Sequence, residues 1–244
     1  MLNILIPLGS ASQFFESSAY VYPKPLIDIF GKPMIQHVVE NLLQISAEKR
    51  FIFVVRDEDC VRHHLDSTLR LLVKDQIEIL RIQRETKGAA CSALLASEFI
   101  ANDHPLVICN GDQIFDLSLD EALKEIRGDQ MDAGCLTFKS VHPRWSYVRL
   151  ENGEIVEAAE KHPLSSNAIA GFYYFSKGRD FVDAAKRMIL KDAQVNGAFY
   201  IAPVFNELVL SGKRMRPYEI DGSKYHTFYS PQKIQEYEMG KGKC

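Results

Sequence analysis

The sequence predicts an α/β fold with a mostly parallel central sheet flanked by helices. Two observations indicate the sheet: short apolar runs alternate with segments of helical spacing as far as Cys109, and the first run, over 4–8, is of the kind that lies inside a parallel sheet. Such runs are typical of buried parallel strands joined by right-handed helical crossovers. A third observation is that the pattern changes from Met131 onward to short strands separated by turns. We therefore expect a mixed or antiparallel extension in the C-terminal half.

The individual elements follow in chain order. Apolar runs predict strands over 4–8, 50–55, 77–82 and 105–109. Helical spacing predicts a helix from Pro33–Met34 onward and helices over 58–72 and 88–100. Beyond Met131, short strands are expected over 135–138, 146–150, 155–158, 169–175 and 214–220, with helices over 181–190 and 203–210. The chain contains no repeat or convincing linker, so we expect one two-lobed domain over 1–238, followed by a poorly ordered polar tail over 239–244.

The composition excludes several classes of protein. The formal net charge is −3 with interspersed signs, which gives no electrostatic case for nucleic acid or an anionic membrane. No apolar run approaches the roughly 20 residues that cross a bilayer, and the first residues lack the basic flank and cleavage site of a signal peptide, so we expect a cytoplasmic protein. The five cysteines are odd in number and scattered, which favours neither a disulfide framework nor a zinc site.

Two charged residues follow predicted strands. Lys24 lies between Pro23 and Pro25, which we expect to hold it in an extended segment. Asp112 follows the fourth strand, and Gly111 beside it permits close backbone approach. Ligands of such sheets bind beyond the carboxyl ends of the strands, where a carboxylate suits a hard cation that bridges phosphates. The alternative is that Asp112 caps a turn or helix.

The order of a first strand, a loop of small residues, PKPL at 23–26 and GKPMI at 31–35 resembles the sugar-nucleotidyltransferase (NDP-sugar pyrophosphorylase) family. The resemblance covers nearly the whole chain and implies a Rossmann-like, GT-A-type nucleotidyltransferase fold. Its nucleotide-binding half is 1–130 and its sugar-binding half 131–238. The implied activity is transfer of a nucleoside monophosphate from a nucleoside triphosphate to a sugar 1-phosphate or related compound. Pyrophosphate is released, Mg²⁺ is the cofactor, and the product is a nucleotide-sugar precursor of surface polysaccharide.

The resemblance also implies roles for individual residues. Lys24 and Lys161 form a phosphate clamp, and Asp112 holds the metal; these three are the catalytic candidates, although single lysines are more often solvated. The nucleotide-binding candidates are Leu8, Gly9, Ser10, Gly88, Ala89, Asn110 and Gly111. The sugar-binding candidates are Gln113, Glu160, Gly171 and Asn196. For Gly88 and Ala89, close packing of a helix on the sheet is an equal alternative to contact with the base.

The chain departs from the family pattern at positions that would touch triphosphate, metal or sugar. Ser10 and Ser12 stand where the family has glycines, and Phe14 stands where it has an arginine. Ala198 replaces a common glutamate, Thr227 replaces the second metal-binding aspartate, and Tyr229 replaces a glycine. His226 and Asp221 are alternative metal ligands, although a lone histidine is more often structural.

Three functions therefore stay open. The first is the nucleotidyltransferase. The second is a homologue that binds nucleotide or sugar phosphate without turnover, in a regulatory or assembly role. The third, on fold analogy, is a GT-A glycosyltransferase that uses a ready-made nucleotide sugar. The base, the sugar and a homo-oligomeric state are not specified by the sequence.

Overall fold

The structure is a computed structural model, which describes residues 1–10, 14–15, 20–74, 76–128 and 130–241. The strands are β1 (Leu2–Pro7), β2 (Asp28–Ile29), β3 (Lys32–Pro33), β4 (Lys49–Arg56), β5 (Ile77–Ile82), β6 (Leu106–Cys109), β7 (Gln113–Phe115), β8 (Ala133–Lys139), β9 (Ser146–Glu151), β10 (Glu154–Glu160), β11 (Asn167–Phe175), β12 (Met215–Glu219) and β13 (Tyr225–Thr227). The helices are α1 (Met34–Leu43), α2 (Asp57–His63), α3 (Leu65–Leu72), α4 (Ala89–Leu94), α5 (Ser97–Ile100), α6 (Leu119–Arg127), α7 (Gly178–Leu190), α8 (Val204–Leu210) and α9 (Pro231–Lys241). Short 3₁₀ turns cover Lys24–Leu26 and Gly222–Lys224.

One large sheet carries the fold. Its centre is parallel, in the order β6-β1-β4-β5, with Asn3 of β1 opposite Arg50 on one side and Leu106 on the other. β11 joins β6 antiparallel, and β8, β9 and β10 extend the sheet from it. This is the predicted parallel sheet with its mixed extension, and the β6–β11 pair joins the two halves of the chain.

The core lies on both faces of the sheet. Successive side chains of a strand point to opposite faces, so Ile4 and Ile6 of β1 join one cluster and Leu5 joins the other. The first cluster contains the buried faces of α1 and α6, and the second contains those of α4, α7 and α8. Because β1 is covered on both faces, its carboxyl end is fixed in position relative to β4 and β6.

Two predicted helices are interrupted. The segment 58–72 breaks at His64, whose φ of 54° is left-handed and separates α2 from α3. The segment 88–100 forms α4 and α5, because the amides of Leu95 and Ala96 bond to carbonyls three residues earlier and tighten the chain between them. In both cases the apolar spacing continues across the break, so the sequence pattern predicted one helix where the structure has two.

The proline-flanked lysine and the C-terminus also differ from expectation. Pro23 is extended, but Lys24–Leu26 form a 3₁₀ turn closed by the amide of Leu26 on Pro23 O at 2.8 Å. Met239 and Gly240, expected in a polar tail, belong to the last turn of α9. Residues 242–244 lie outside the described residues.

Candidate active site

A cavity of about 740 Å³ opens where β1, β4 and β6 end. Its walls are the residues after β1, the segment around Lys24, the first turns of α2, the start of α4 and the residues after β6. The side chains that matter below are Leu8, Ser10, Lys24, Arg56, Glu58, Asp59, Arg62, Ala89, Asn110, Gly111 and Asp112. The carboxyl ends of neighbouring parallel strands are the general ligand position of such sheets.

Lys24 and Asp112 form an ion pair at the edge of this cavity. The Lys24 ammonium donates a hydrogen bond to Asp112 Oδ2, and both side chains are largely shielded from solvent. The 3₁₀ turn positions the lysine, and the amide of Phe228 holds the aspartate backbone by donating to Asp112 O at 2.7 Å. Two predicted catalytic residues, far apart in sequence, are therefore in direct contact.

Two glycines make room for this arrangement. A Cβ on Gly111 would lie 2.2 Å from the Leu8 side chain. Gly171 has a φ of 62°, and a Cβ there would lie 2.3 Å from Asn110 Nδ2 and 2.4 Å from Gln113 Oε1. Gln113 is buried, and its amide donates to Gly171 O at 2.9 Å. Gln113 and Gly171 therefore lie against Asn110 rather than along the cavity wall.

Gly88 lies against another part of the backbone. Its φ is 107°, and a Cβ there would lie 2.4 Å from Phe199 O. The amide of Ala90 donates to that same carbonyl at 3.0 Å, and the amide of Phe199 donates to Lys87 O at 2.7 Å. Gly88 is therefore closely packed, as the alternative expected, but its partner is the backbone at Phe199. Ala89, in contrast, lines the cavity.

The start of α2 adds a charged wall that the sequence analysis did not identify. Glu58 accepts a hydrogen bond from Arg56 and forms an ion pair with Arg62, each at 2.8 Å. Asp59 is buried beside them, and burial raises the pKa of its carboxyl. The sequence could have indicated this wall, because Arg56 is the last residue of β4 and therefore lies at the same sheet edge as Leu8 and Asp112.

The predicted sugar-binding residues lie apart from this cavity. Glu160 is buried and accepts a hydrogen bond from the Ser146 hydroxyl, and burial raises the pKa of its carboxyl. Lys161 has a left-handed φ of 55°, and its ammonium donates to the Tyr200 hydroxyl at 2.7 Å. Asn196 is exposed in a turn with a φ of 51°.

The structure therefore divides the candidate residues into two groups. Those that line the cavity are Leu8, Ser10, Lys24, Ala89, Asn110, Gly111 and Asp112. Those that do not are Gly9, Gly88, Gln113, Glu160, Lys161, Gly171 and Asn196. Lys24 and Lys161 do not face each other across it. Ser12 lies outside the described residues.

A metal site would rest on Asp112. Within the described ranges, no group of three or more His, Cys, Asp or Glu side chains could hold an ion. Thr227 stands opposite Gln113 in the β7–β13 pair, so the position of the second aspartate is next to the site but carries no carboxylate. His226 instead contacts Asp116 at 2.9 Å, and Asp221 caps the turn at Ser223. Mg²⁺ often uses one or two carboxylates, several waters and substrate phosphates, so a single carboxylate fits it.

In the part of the chain that the structure describes, no helix is sufficiently long and apolar to span a bilayer.

Two proteins of known name resemble this chain in sequence. The UTP–glucose-1-phosphate uridylyltransferase AglF of Haloferax volcanii is 28% identical over 223 residues, which are 89% of this chain and 87% of that protein. The bifunctional protein GlmU of Methanocaldococcus jannaschii is 27% identical over 192 residues, or 72% of this chain and 43% of that protein.

Solved structures share the fold. A nucleoside-diphosphate-sugar pyrophosphorylase of Vibrio cholerae superposes with a TM-score of 0.84 at 22% identity, covering 97% of this chain and 99% of that one. A UDP-glucose pyrophosphorylase solved with UDP-glucose gives a TM-score of 0.76 at 18% identity, covering 100% and 99%. These likenesses confirm the predicted fold class.

The model of one protein family, described as nucleotidyl transferase, matches residues 4–215. This match covers most of the chain and both predicted halves, and it confirms the resemblance that PKPL and GKPMI indicated. The chain therefore belongs to the nucleotidyl transferase family.

Proposed function

We propose that this protein transfers a uridylyl or thymidylyl group from the nucleoside triphosphate to glucose 1-phosphate or a similar hexose 1-phosphate, releasing pyrophosphate. The observation that carries the proposal is the Lys24–Asp112 pair at the edge of a cavity formed by the ends of β1, β4 and β6. The name of AglF supports a uridylyl group and glucose 1-phosphate, and a Bacillus anthracis structure of similar fold that is described as a glucose-1-phosphate thymidylyltransferase supports a thymidylyl group. The product would be an activated sugar donor for surface polysaccharide.

The reaction needs placement and charge neutralisation but no covalent nucleophile. An oxygen of the sugar phosphate attacks the α-phosphorus in line, and the bond from that phosphorus to the β-phosphate oxygen breaks. Negative charge develops on the leaving pyrophosphate, so fixed cations beside it lower the barrier. The Lys24 ammonium is such a cation, and it stands next to the loop after β1, where the triphosphate would lie.

Asp112 would hold Mg²⁺ together with the phosphates. When bound, the ion would neutralise phosphate charge and orient the α-phosphate. In the structure Asp112 is paired with Lys24, so the lysine exchanges its carboxylate partner for a phosphate oxygen when substrate enters. The pair thus keeps both groups positioned before binding.

The charged wall on α2 supports an anionic ligand. Arg56 and Arg62 line the cavity, and a guanidinium matches the geometry of phosphate oxygens. Both are paired with Glu58, which a triphosphate would have to displace or share.

A second candidate function is binding without turnover. Phe14 stands where the resemblance expects a triphosphate-binding arginine, and Lys161 pairs with Tyr200 away from the cavity. A chain with these features could retain nucleotide while reacting slowly or not at all.

One experiment separates the two functions. The protein is incubated with Mg²⁺, each nucleoside triphosphate and a panel of hexose 1-phosphates, and pyrophosphate release is measured beside Asp112→Ala. Release by the native chain that Asp112→Ala abolishes supports the transferase. Calorimetric binding of a nucleotide with no release for any pair supports the second function. Neither release nor binding would refute both.

A further inference from the structure

Arg144 is a half-buried arginine whose guanidinium is stacked on aromatic rings. It lies in the loop between β8 and β9, and its Cζ is 3.1 Å from the centre of the Tyr229 ring and 4.7 Å from that of Trp145. Its Nε is buried and has no hydrogen-bond partner. Within the described ranges, no carboxylate, carbonyl or hydroxyl oxygen accepts from the rest of its guanidinium either.

This arrangement favours an anionic ligand. A guanidinium has five N–H donors in one plane, and stacking on aromatic faces leaves the edge of that plane available. Aromatic rings hold the cation but do not neutralise it, and a partly buried donor without an acceptor is unfavourable. A phosphate would satisfy both the charge and the donors through two parallel hydrogen bonds.

The position of Arg144 connects the two parts of the candidate site. Tyr229 follows Phe228, whose amide donates to Asp112 O at 2.7 Å. On the other side, the carbonyl of Trp145 accepts from the amide of Lys161 at 3.0 Å. Arg144 therefore stands between the Lys24–Asp112 pair and the predicted sugar-binding segment, which is where phosphates of two substrates would meet.

Two departures from the family pattern converge on this arginine. Phe14 and Tyr229 contact each other edge to face, with ring centres 5.7 Å apart, and Tyr229 in turn lies on the Arg144 guanidinium. A glycine at 229 would remove the ring that supports the cation. The two aromatic replacements therefore form part of the platform on which Arg144 rests.

We propose that Arg144 binds a phosphoryl group of the substrates, so that the β8–β9 loop supplies the guanidinium that the loop after β1 lacks. This inference rests on the proposed transferase function. The phosphoryl group belongs either to the nucleoside triphosphate or to the sugar 1-phosphate, and the chemistry of recognition is the same for both.

The test compares Arg144→Ala and Arg144→Lys with the native chain. KM and kcat are measured separately for UTP and for glucose 1-phosphate by pyrophosphate release, and Kd for each by calorimetry. Arg144→Ala is expected to weaken one of the two substrates by about ten- to a hundredfold, which identifies the phosphate that it binds. Arg144→Lys is expected to recover only part of the loss, because lysine cannot form the two parallel bonds.

Arg149→Ala is the matched control, since Arg149 lies on β9, the strand that follows this loop, but is exposed and pairs with Glu151 and Glu157. The double variant Phe14→Arg, Arg144→Ala tests whether Arg144 replaces the arginine missing at position 14. A guanidinium at position 14 is expected to restore the substrate binding that Arg144→Ala loses. A structural role would show no such rescue.

The outcomes separate this inference from the transferase function. If Arg144→Ala changes KM and Kd of both substrates no more than Arg149→Ala does, the inference is overturned while the transferase stands. If the native chain shows no turnover but binds UTP or glucose 1-phosphate, and Arg144→Ala weakens that binding, the role of Arg144 is supported and the transferase function is refuted. If the native chain binds neither ligand nor inorganic pyrophosphate, both are overturned.

Discussion

Lys24 donates a hydrogen bond to Asp112 across 88 residues of sequence, and this contact ties the loop after β1 to the end of β6. The two side chains are 23% and 20% exposed, so the pair is shielded but open to a ligand entering the cavity. Among the residues that the structure describes, neither group forms another ion pair, so we expect the two to behave as one unit that substrate must separate.

A double-mutant cycle tests this unit. Lys24→Ala and Asp112→Asn are each expected to lower kcat for pyrophosphate release by about a hundredfold or more, the usual effect of removing one charge-stabilising group. The double variant is expected to lose far less than the product of the two, because either change already disables the pair. Fully multiplicative losses would mean that the two residues act independently.

Glu58→Gln is expected to strengthen binding of the nucleoside triphosphate. Glu58 holds both Arg56 and Arg62 in ion pairs at 2.8 Å, and a neutral glutamine would leave both guanidinium groups for phosphate oxygens. We expect KM for the triphosphate to fall by about three- to tenfold, with kcat little changed.

Glu48→Gln is the control for this effect, because Glu48 is exposed beside the opposite end of β4 and carries the same charge. An unchanged or higher KM for Glu58→Gln would show that Arg56 and Arg62 do not bind the triphosphate.

Part of this site was predictable from sequence. Apolar runs located β1 and β6, and the rule that ligands bind beyond parallel strands then selected Asp112, whereas the flanking prolines and the family resemblance selected Lys24. Arg56 follows from the same rule applied to β4. These positions are fixed by local sequence and by the order of the sheet, so a pattern of residues is sufficient to find them.

The remainder depends on tertiary contacts that the sequence pattern does not carry. The direction of Lys161 is set by a left-handed backbone and by the Tyr200 hydroxyl. Tyr229 lies on the Arg144 guanidinium and Phe14 lies against Tyr229, and long stretches of chain separate these three residues. The break at His64 likewise interrupts an apolar pattern that continues on both sides.

Gly88→Ala is expected to destabilise the protein. The φ of 107° is strained for alanine, and the new methyl carbon would lie 2.4 Å from the Phe199 carbonyl oxygen, which is backbone and cannot rotate away. We expect a loss of about 1–3 kcal/mol in the free energy of unfolding, measured by urea denaturation.

Gly222→Ala provides the comparison, since the nearest atom to a Cβ there is 3.9 Å away. Equal stability of the two variants would show that the approach of Gly88 to Phe199 is not required.

Glu160→Gln is expected to change how stability depends on pH. Burial raises the pKa of the Glu160 carboxyl above its ordinary value of 4.5, so the folded chain binds more protons than the unfolded chain between these two values. The free energy of unfolding of the native chain therefore loses this contribution as pH rises from 4.5 through the raised pKa, and the loss is complete above it. Glutamine does not ionise, so the variant lacks this loss.

The measurement is urea unfolding of the native chain and Glu160→Gln at intervals from about pH 4 to about pH 8. Relative to the native chain, the variant is expected to become more stable as pH rises, with the difference levelling off above the raised pKa. Glu157→Gln is the matched control, because Glu157 lies on the same strand but is exposed and paired with Arg149 at 2.9 Å. Parallel stability curves for the native chain and Glu160→Gln would show that the carboxyl is solvated or fully compensated by the Ser146 hydroxyl. A growing difference would show that ionisation of the buried Glu160 carboxyl is not fully compensated by the Ser146 hydroxyl.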